Sequence, residues 1–490
     1  MQRAQDATSV VIVGAGIGGL AAALRLAHAG AHVTVLDSHA APGGKMRTIP
    51  SAAGPIDAGP TVLTMRSVFD DLFHAVGLRL DDHLTLCPLD ILARHYWPGG
   101  TTLDLMADPN DTLARVADVF GTTAADQVRR FSARAARLFD AFEGPMMKTA
   151  APTFGGVAAR VMQQPVLLRD MAPHRTLAGL ANRSFADPRL AQLFARYATY
   201  VGGDPRHTPA LLSLIWAAES RGVWTVAGGI HVLAQTLASL AQARGATFHY
   251  NTQAHAIETR DGRITGVRTD DGTLPADAVL FNGDPKALHD GLLGDAPKAT
   301  VQSAQVKPRS LSAHVASFAA KPQGVPLAHH TLFFADDPAA EFAAIARRNT
   351  PTDATLYLCA QDHGHRPAGA LQRFEIIRNA SPLPTQTEEP DQCAKTMFDR
   401  LKAFGLTLDA GPVTITGPQE FARMFPGSDG ALYGRSPQGT MAAFQRPTAR
   451  TRINGLYLCG GGTHPGAGVP MAALSARHAA EAMIADLSLT

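Results

Sequence analysis

The feature of this sequence that most constrains its fold is a glycine cluster at residues 14–19, which follows a short apolar run and precedes a helical pattern. The apolar residues 9–13 predict a buried parallel strand, and residues 18–29 carry apolar side chains at helical spacing. Residues 32–36 predict a second strand that ends at Asp37. The first 37 residues therefore predict one βαβ unit of the Rossmann type.

The glycine spacing in this unit is typical of a dinucleotide site. Gly14, Gly16, Gly18 and Gly19 satisfy the pattern G-x-G-x-x-G, in which the glycines allow a tight turn, a close approach of pyrophosphate and helix–strand packing. Asp37 is expected to accept hydrogen bonds from the ribose hydroxyls of the adenosine. The same pattern serves NAD and FAD.

A second glycine pair favours FAD. Gly43 and Gly44 follow Asp37 closely and are themselves followed by Lys45. Backbone N–H groups and a cation at this position could approach the same diphosphate from its other side. A surface lysine is ordinarily solvated, and only the motif around Lys45 assigns it to the cofactor.

Composition narrows the remaining classes. The chain has 490 residues, 46% of them hydrophobic, which is too long for one compact domain. The net charge of +2 argues against a nucleic-acid partner. The four cysteines are widely spaced without a C-x-x-C pair, which argues against a metal site and indicates an intracellular protein. Residues 1–8 are polar and predict no signal peptide, and no apolar run is long enough to span a bilayer.

The order of predicted elements indicates an α/β fold with a discontinuous Rossmann-type FAD-binding domain. A mixed α+β substrate domain and a helical region are inserted into it. We expect the FAD-binding domain in three parts, a mostly helical region that faces substrate or membrane, and a sheet-containing part of the substrate domain. The predicted ranges are 1–107, 226–300 and 426–490 for the FAD-binding domain, 108–225 for the helical region and 301–425 for the sheet.

Further motifs give the chain a family resemblance. The Gly43–Lys45 patch is followed by Asp57-Ala-Gly-Pro-Thr at 57–61, by Gly228-Gly229 and by a glycine-rich turn at 461–470. In this order they resemble the carotenoid branch of the flavin amine-oxidase superfamily, which comprises bacterial phytoene desaturase-like enzymes. The resemblance covers the whole chain. Within the branch, residues 430–435, 455–458 and 468–474 are most similar to the hydroxyneurosporene or methoxyneurosporene 3,4-desaturases of purple bacteria.

The resemblance implies a set of FAD contacts. Gly59, Pro60, Thr61 and Val62 would lie beside the isoalloxazine, and the backbone near Ala254 beside the adenine. The turn that contains Gly461, Gly462, Gly468 and Val469 would meet the pyrophosphate and flavin, where free N–H groups suit a carbonyl that gains negative charge on reduction. The sequence departs from many family members at Asp37, where they carry Glu, and at Lys45, where they carry Arg. Neither change threatens FAD binding.

The resemblance also implies the reaction. A C3,4 double bond would be introduced into acyclic 1-hydroxy- or 1-methoxy-carotenoids, with one hydrogen transferred as hydride to flavin N5 and the other lost as a proton. No compact acid–base constellation stands out in the sequence. Arg66, His464 and Asp170 are candidates for the proton step or for recognition of a terminal hydroxyl. Met65, Phe69, Leu72 and Phe73 could line a lipid channel, although ordinary core is the favoured interpretation.

Several alternatives stay open. Within enzymes, a phytoene-type desaturase or a carotenoid isomerase would carry the same motifs. A non-catalytic lipid carrier that resembles GDP dissociation inhibitors shares this fold, but the intact glycine motifs argue against it. A soluble amine oxidase is a further enzyme alternative.

Two partners follow from a carotenoid substrate. The substrate resides in the bilayer, so we expect peripheral attachment to a membrane surface on the cytoplasmic side. Residues 156–171, with Arg160 and Arg169 among apolar residues, are the candidate contact. No second G-x-G-x-x-G is present, which argues against an NAD(P)H-binding domain. The expected electron acceptor is therefore oxygen or a quinone.

Overall fold

The computed structural model describes residues 8–367 and 369–489 of the chain. Residues 1–7, on which the expected absence of a signal peptide depends, lie outside this part.

The strands of the described residues are, in chain order, β1 Ser9–Val13, β2 His32–Leu36, β3 Thr48–Ile49, β4 Ile56–Asp57, β5 Leu86–Pro88, β6 Ile91–Tyr96, β7 Thr102–Met106, β8 Trp224–Val226, β9 Thr247–His249, β10 Ala256–Arg260, β11 Arg263–Thr269, β12 Gly272–Pro275, β13 Ala278–Phe281, β14 Ser312–Gly324, β15 His330–Phe333, β16 Leu356–Ala360, β17 Gln372–Ala380, β18 Leu406–Thr416 and β19 Leu456–Leu458.

Helices alternate with the strands and dominate residues 109–220. The α-helices of the described residues are α1 Ile17–His28, α2 Ser67–His74, α3 Pro109–Phe120, α4 Thr122–Phe142, α5 Phe154–Gln163, α6 Val166–Met171, α7 Leu177–Ser184, α8 Pro188–Ala195, α9 Leu214–Ser220, α10 His231–Gln242, α11 Pro285–His289, α12 Asp295–Lys298, α13 Ser303–Val306, α14 Pro338–Ala346, α15 Pro390–Ala403, α16 Pro418–Met424 and α17 Val469–Asp486.

The first sheet is parallel throughout and has the order β19-β13-β1-β2-β9. The predicted βαβ unit is confirmed, with β1 and β2 in direct register from Ser9 opposite His32 to Val13 opposite Leu36. The apolar faces of α1, α10 and α17 bury one side of this sheet. A second core that includes Val11, Leu36 and Val279 covers the other side. Burial on both faces explains why these strands are continuous apolar runs.

A three-stranded antiparallel sheet, β10-β11-β12, lies next in the chain. Asp261 and Gly262 join its first two strands with φ values of 51° and 74°. Two successive positive φ values are typical of the tight hairpin turn that Asp-Gly favours. The Asp-Gly pair at residues 261–262 and the one at residues 271–272 thus connect the three strands as two hairpins.

The largest sheet has seven strands in the order β18-β14-β17-β16-β15-β6-β7. One face packs on α15, where side chains such as Phe374 and Ile376 meet Met397 and Leu401. The opposite face carries Leu332, Tyr357 and Cys359 and joins the core of the helical region. Because side chains alternate along a strand, each strand of this sheet contributes to both layers.

The placement of β6 and β7 corrects one predicted boundary. We assigned residues 1–107 to the FAD-binding domain, but β6 pairs in parallel with β15, where Thr331 lies opposite Arg94, and so belongs to the seven-stranded sheet. β7 pairs with β6 at its edge. A short strand carries no local signal for its partner, so the sequence pattern did not reveal this connection. The other boundaries remain predictions.

The helical region has its own core, to which α3, α4, α7, α8 and α9 contribute. Phe69, Leu72 and Phe73 of α2 are buried in the core of the parallel sheet, which confirms their interpretation as core. Among the described residues, no helix combines the length and the apolar character that crossing a bilayer requires.

Candidate functional site

Three adjacent parallel strands, β1, β13 and β19, end at one place, and the turns that follow them interlock. The side-chain amide of Asn282 donates to the carbonyl of Gly14 at 2.9 Å. A Cβ atom added to Gly18 would lie 2.5 Å from Asn282 Oδ1, and one on Gly19 would lie 2.1 Å from the Gly14 carbonyl oxygen. Both glycines are thus required by packing. The carboxyl ends of parallel strands are also where such sheets bind ligands.

Asp37 stands at the end of β2, as the fingerprint predicts. Its Oδ2 accepts from the Ala15 N–H at 2.7 Å, and its Oδ1 accepts from the His39 N–H at 2.8 Å. The same Oδ1 lies 2.8 Å from His39 Nδ1, and this hydrogen bond raises the pKa of His39. A carboxylate has about four lone-pair positions, so it can still accept from a ribose hydroxyl.

The adenine-side segment runs beside Asp37. The Thr252 N–H donates to the Asp37 carbonyl at 2.9 Å, and Asn251 N–H donates to the His39 carbonyl at the same distance. Ala254 follows this segment and is buried. The structure thus brings Ala254 near the end of β2, while its contact with adenine remains a prediction.

The second glycine pair lies against the first cluster. Gly43 N–H donates to the Ala15 carbonyl at 2.8 Å, and Gly43 forms an isolated bridge with Gly16. Gly43 has a φ of 119°, and a Cβ there would lie 2.2 Å from the Met46 carbonyl oxygen. The two glycine motifs, about 30 residues apart in the chain, therefore pack together as one glycine-rich surface.

Two partly buried cations border this surface. Lys45 Nζ donates to the Leu432 carbonyl at 2.6 Å, and Arg446 donates to the carbonyls of Gly461 and Arg435 at 2.9 and 2.7 Å. Burial lowers the pKa of Lys45 to about 8 and that of Arg446 to about 10. In the part of the chain that the structure describes, neither cation forms an ion pair. Cations held only by carbonyls fit the diphosphate of FAD, whose charge would compensate them.

Residues 57–62 connect the dinucleotide surface to the seven-stranded sheet. Asp57 accepts from the N–H groups of Ile230 and His231 at 2.8 and 3.1 Å at the start of α10, and burial raises its pKa. A Cβ on Gly59 would lie 1.9 Å from the Lys45 carbonyl oxygen, so only glycine allows this approach. Pro60 separates Gly59 from Thr61, whose Oγ1 lies 2.6 Å from the Tyr357 hydroxyl. Val62 packs on the core of the helical region.

The glycine-rich turn after β19 completes the site. Gly462 is packed against Pro285, where a Cβ would lie 2.4 Å from the proline ring, whereas the nearest atom to a Cβ on Gly461 is 3.8 Å away. Gly468, with a φ of 115°, precedes Val469, the first residue of the 18-residue helix α17. Open space at Gly461 and a helix N-terminus at Val469 fit an electron-rich flavin edge.

The three candidates for the proton step are not brought together. The Arg66 guanidinium forms an ion pair with Asp81 at 2.6 Å and another with Asp70. Asp170 is buried in the helical region, where its carboxylate pairs with Arg137 at 2.8 Å. Both charges are engaged by neighbours outside the glycine turns.

His464 does lie in the C-terminal turn. Its Nε2 is 2.8 Å from the Thr149 carbonyl, and its ring stacks on that of His478 at 5.8 Å. Burial lowers the pKa of His464 to about 4, so the ring is neutral near neutral pH. The observed contacts tie the turn to the helical region.

Sequence reasoning missed the residues that the large sheet contributes. Tyr357 also lies 2.6 Å from His330 Nδ1, which extends the contact with Thr61 into the sheet. Glu375 is completely buried on β17, and Arg446 reaches the glycine turn from a loop. Of these residues, Glu375 alone could have been noticed in the sequence, because it is an acidic residue within the apolar run at 374–377.

Comparison with known proteins agrees with this geometry. The family description "Flavin containing amine oxidoreductase" matches residues 17–484. A hydroxyneurosporene desaturase from Cereibacter sphaeroides is 53% identical over 490 residues, covering 99% of each chain. One from Rhodobacter capsulatus is 49% identical over 487 residues, covering 98% of each. The solved structure of cyclohexylamine oxidase from Brevibacterium oxydans, at 16% identity, covers 99% of this chain and 100% of its own with a TM-score of 0.61.

The solved structure shares only the fold at that identity, and it confirms the predicted fold class. The family match confirms FAD as the cofactor and the resemblance drawn from the glycine motifs. The chain belongs to the flavin containing amine oxidoreductase family.

Proposed function

We propose that this protein is an FAD-dependent carotenoid 3,4-desaturase that acts on acyclic 1-hydroxy- or 1-methoxy-carotenoids. The observation that carries the proposal is the 53% identity, over nearly the whole of both chains, to a protein named hydroxyneurosporene desaturase. The site geometry is consistent with it, because residues 57–62 run from the dinucleotide surface to Val62, which packs on the apolar core of the helical region.

When bound, FAD supplies the acceptor for one hydrogen that leaves with its electron pair, while the second hydrogen leaves as a proton. Lys45 and Arg446 would hold the anionic end of the cofactor with their partly buried charges. Val62, Leu332 and Ile377 pack in the core of the helical region and would form part of an apolar wall that excludes water from the reacting carbons. Because a polyene delocalises the developing positive charge, the proton step does not require a strong base.

The three candidates for the proton step, Arg66, Asp170 and His464, differ in their positions and contacts. Arg66 and Asp170 are engaged in ion pairs, so we assign them no part in hydrogen transfer. His464 is the one candidate in the flavin turn. We propose that it positions this turn through the Thr149 carbonyl.

We propose that α5 and α6 rest on a membrane surface. Four of the eight exposed large hydrophobic side chains among the described residues lie here, with exposed fractions of 64% for Phe154, 75% for Met162, 43% for Val166 and 57% for Leu168. Arg169, 80% exposed, stands among them and suits anionic headgroups. The cytoplasmic face is the proposed side, because the cysteine spacing is typical of an intracellular protein.

The proposed electron acceptor is oxygen or a membrane quinone. Stopped-flow reoxidation of the dithionite-reduced flavoprotein by each acceptor would distinguish them. Reoxidation by neither within a catalytic turnover would contradict this part of the proposal.

The decisive experiment is anaerobic incubation of FAD-loaded protein with 1-hydroxyneurosporene, 1-methoxyneurosporene, neurosporene and phytoene. We expect flavin bleaching, a red-shifted carotenoid spectrum and a C3,4 double bond in the oxygenated substrates. Conversion of phytoene with the oxygenated carotenoids unchanged would instead indicate a phytoene-type desaturase. Isomerised product without net oxidation would indicate an isomerase.

A further inference from the structure

A row of four buried polar side chains crosses the large sheet on one face. Strand register sets Ser317 opposite Glu375, Glu375 opposite Cys359 and Cys359 opposite His330, on four neighbouring strands. None of the four is more than 2% exposed. Their face is the one that carries Tyr357 and adjoins the helical region, because the alternate residues Phe374 and Ile376 face α15.

Several polar atoms of this row have no hydrogen-bond partner among the described residues. They are both carboxyl oxygens of Glu375, Ser317 Oγ and His330 Nε2. A buried polar group without a partner costs stability, so such atoms in a folded protein call for a ligand that they can bond. Their concentration in one row makes this face a polar spot within an otherwise apolar wall.

The row lies close to residues 57–62, the segment that we assign to the flavin. Asp57, at the start of this segment, is near enough to Glu375 to raise its pKa, and Arg47 is a second charged neighbour. Tyr357, two residues from Cys359 on the same face, contacts Thr61. In a 3,4-desaturation, C3 is separated from the oxygen-bearing C1 by one carbon, so that oxygen must lie close to the flavin.

A hydrogen-bond donor is the group that can bond this oxygen in both proposed substrates. A hydroxyl can donate and accept, whereas a methoxy oxygen can only accept. An ionised carboxylate can only accept and would bind the hydroxyl alone, but a protonated carboxyl group can donate to either. Burial, and then the charge of Asp57, raise the pKa of Glu375 well above its ordinary value, which favours the protonated carboxyl group over the carboxylate.

We propose that Glu375, assisted by Ser317, donates a hydrogen bond to the C1 oxygen of the substrate and so selects end-oxygenated carotenoids over unsubstituted ones. This inference rests on the proposed function. A site built to bond a substrate hydroxyl rejects the analogue without it, since the buried polar group is then left unpaired. Glu375 is accordingly a specificity residue, and it neither takes nor gives a proton in the reaction.

The test compares kcat/KM for 1-hydroxyneurosporene, 1-methoxyneurosporene and neurosporene in the FAD-loaded wild type, Glu375→Gln and Glu375→Leu. Gln keeps a donor of the same shape and is expected to keep the preference for both oxygenated substrates. Leu is expected to lower that preference by roughly 10- to 100-fold, mainly through the oxygenated substrates. Glu341→Gln is the control, because Glu341 is a buried glutamate outside this row that bonds Thr355.

The outcomes separate the inference from the proposed function. A wild type that converts no oxygenated carotenoid overturns both. A wild type that converts them, with an unchanged preference in Glu375→Leu, overturns the inference alone. Loss of all conversion in Glu375→Gln with FAD still bound also overturns it, because the carboxylate would then act in the chemistry. If the Leu variant does not bind FAD, Glu375→Asp, one methylene shorter, must lower the preference about tenfold or the inference fails.

Discussion

The hydroxyl of Thr61 lies 2.6 Å from the phenolic oxygen of Tyr357, although 296 positions separate the two residues in the chain. This contact joins the segment assigned to the flavin with the seven-stranded sheet. The Tyr357 oxygen lies another 2.6 Å from His330 Nδ1, so one buried phenol serves two partners. The relative position of cofactor segment and substrate wall therefore depends on this side chain.

Removal of the phenol should destabilise the protein. Tyr357→Phe leaves Thr61 and His330 without a buried partner, and we expect the free energy of unfolding to fall by about 1–3 kcal/mol. Denaturant unfolding measured by fluorescence checks this value. Tyr457→Phe is the matched control, because its partner Asp486 is partly exposed and water can replace the lost hydroxyl. Equal losses in both variants would contradict the proposed role of Tyr357.

A substitution at Gly461 tests whether the turn at residues 461–468 binds FAD, because it should change FAD affinity without disturbing the packing of the protein. Because nothing lies within 3.8 Å of an added Cβ, Gly461→Ala should leave the stability of the apoprotein within about 0.5 kcal/mol of the wild type. FAD in the proposed place would meet the methyl group, and we expect its affinity to fall about tenfold or more. Fluorescence titration measures this affinity. Gly411→Ala on β18 is the control, because an added Cβ there has equally open space. Unchanged FAD affinity in Gly461→Ala would contradict the assignment of Gly461 to the FAD site.

FAD affinity should depend on pH through Lys45. Its pKa of about 8 in the folded apoprotein lies below the unfolded value of about 10.4, so this group adds stability to the apoprotein as pH rises from 8 towards 10.4. The diphosphate favours the protonated side chain, so FAD affinity is highest below pH 8 and falls as pH rises through it. Lys45→Met should bind more weakly and lose this dependence, whereas exposed Lys395→Met should retain it. An identical profile in Lys45→Met would refute the assignment.

Membrane attachment can be tested on the exposed side chains of α5 and α6. The double substitution Met162→Asp and Leu168→Asp adds charge to the proposed contact, and we expect it to abolish co-flotation with vesicles that contain anionic lipid. The control is Leu383→Asp, which changes a 46% exposed leucine in another part of the chain. Wild-type protein that fails to float with either anionic or neutral vesicles would exclude this docking mode.

The sequence by itself was sufficient to predict the βαβ unit and its glycine turn. Residues 9–37 form a strand, glycine turn and helix whose signals are local, and β1 and β2 occupy the predicted ranges. The glycine pattern placed Gly18 and Gly19 in the turn after β1. The structure supplies the reason, because only glycine fits where Asn282 and Gly14 approach so closely.

Only the tertiary structure decided which polar residues meet across the seven-stranded sheet. The row from Ser317 to His330 is formed by the register of four strands, and register depends on long-range pairing that no short window of sequence contains. The same reason explains why β6 joined the large sheet and why Arg66 and Asp170 were found in ion pairs. Local motifs were thus enough to predict the cofactor. The place of Glu375 in the large sheet depends instead on contacts between strands that are distant in the chain.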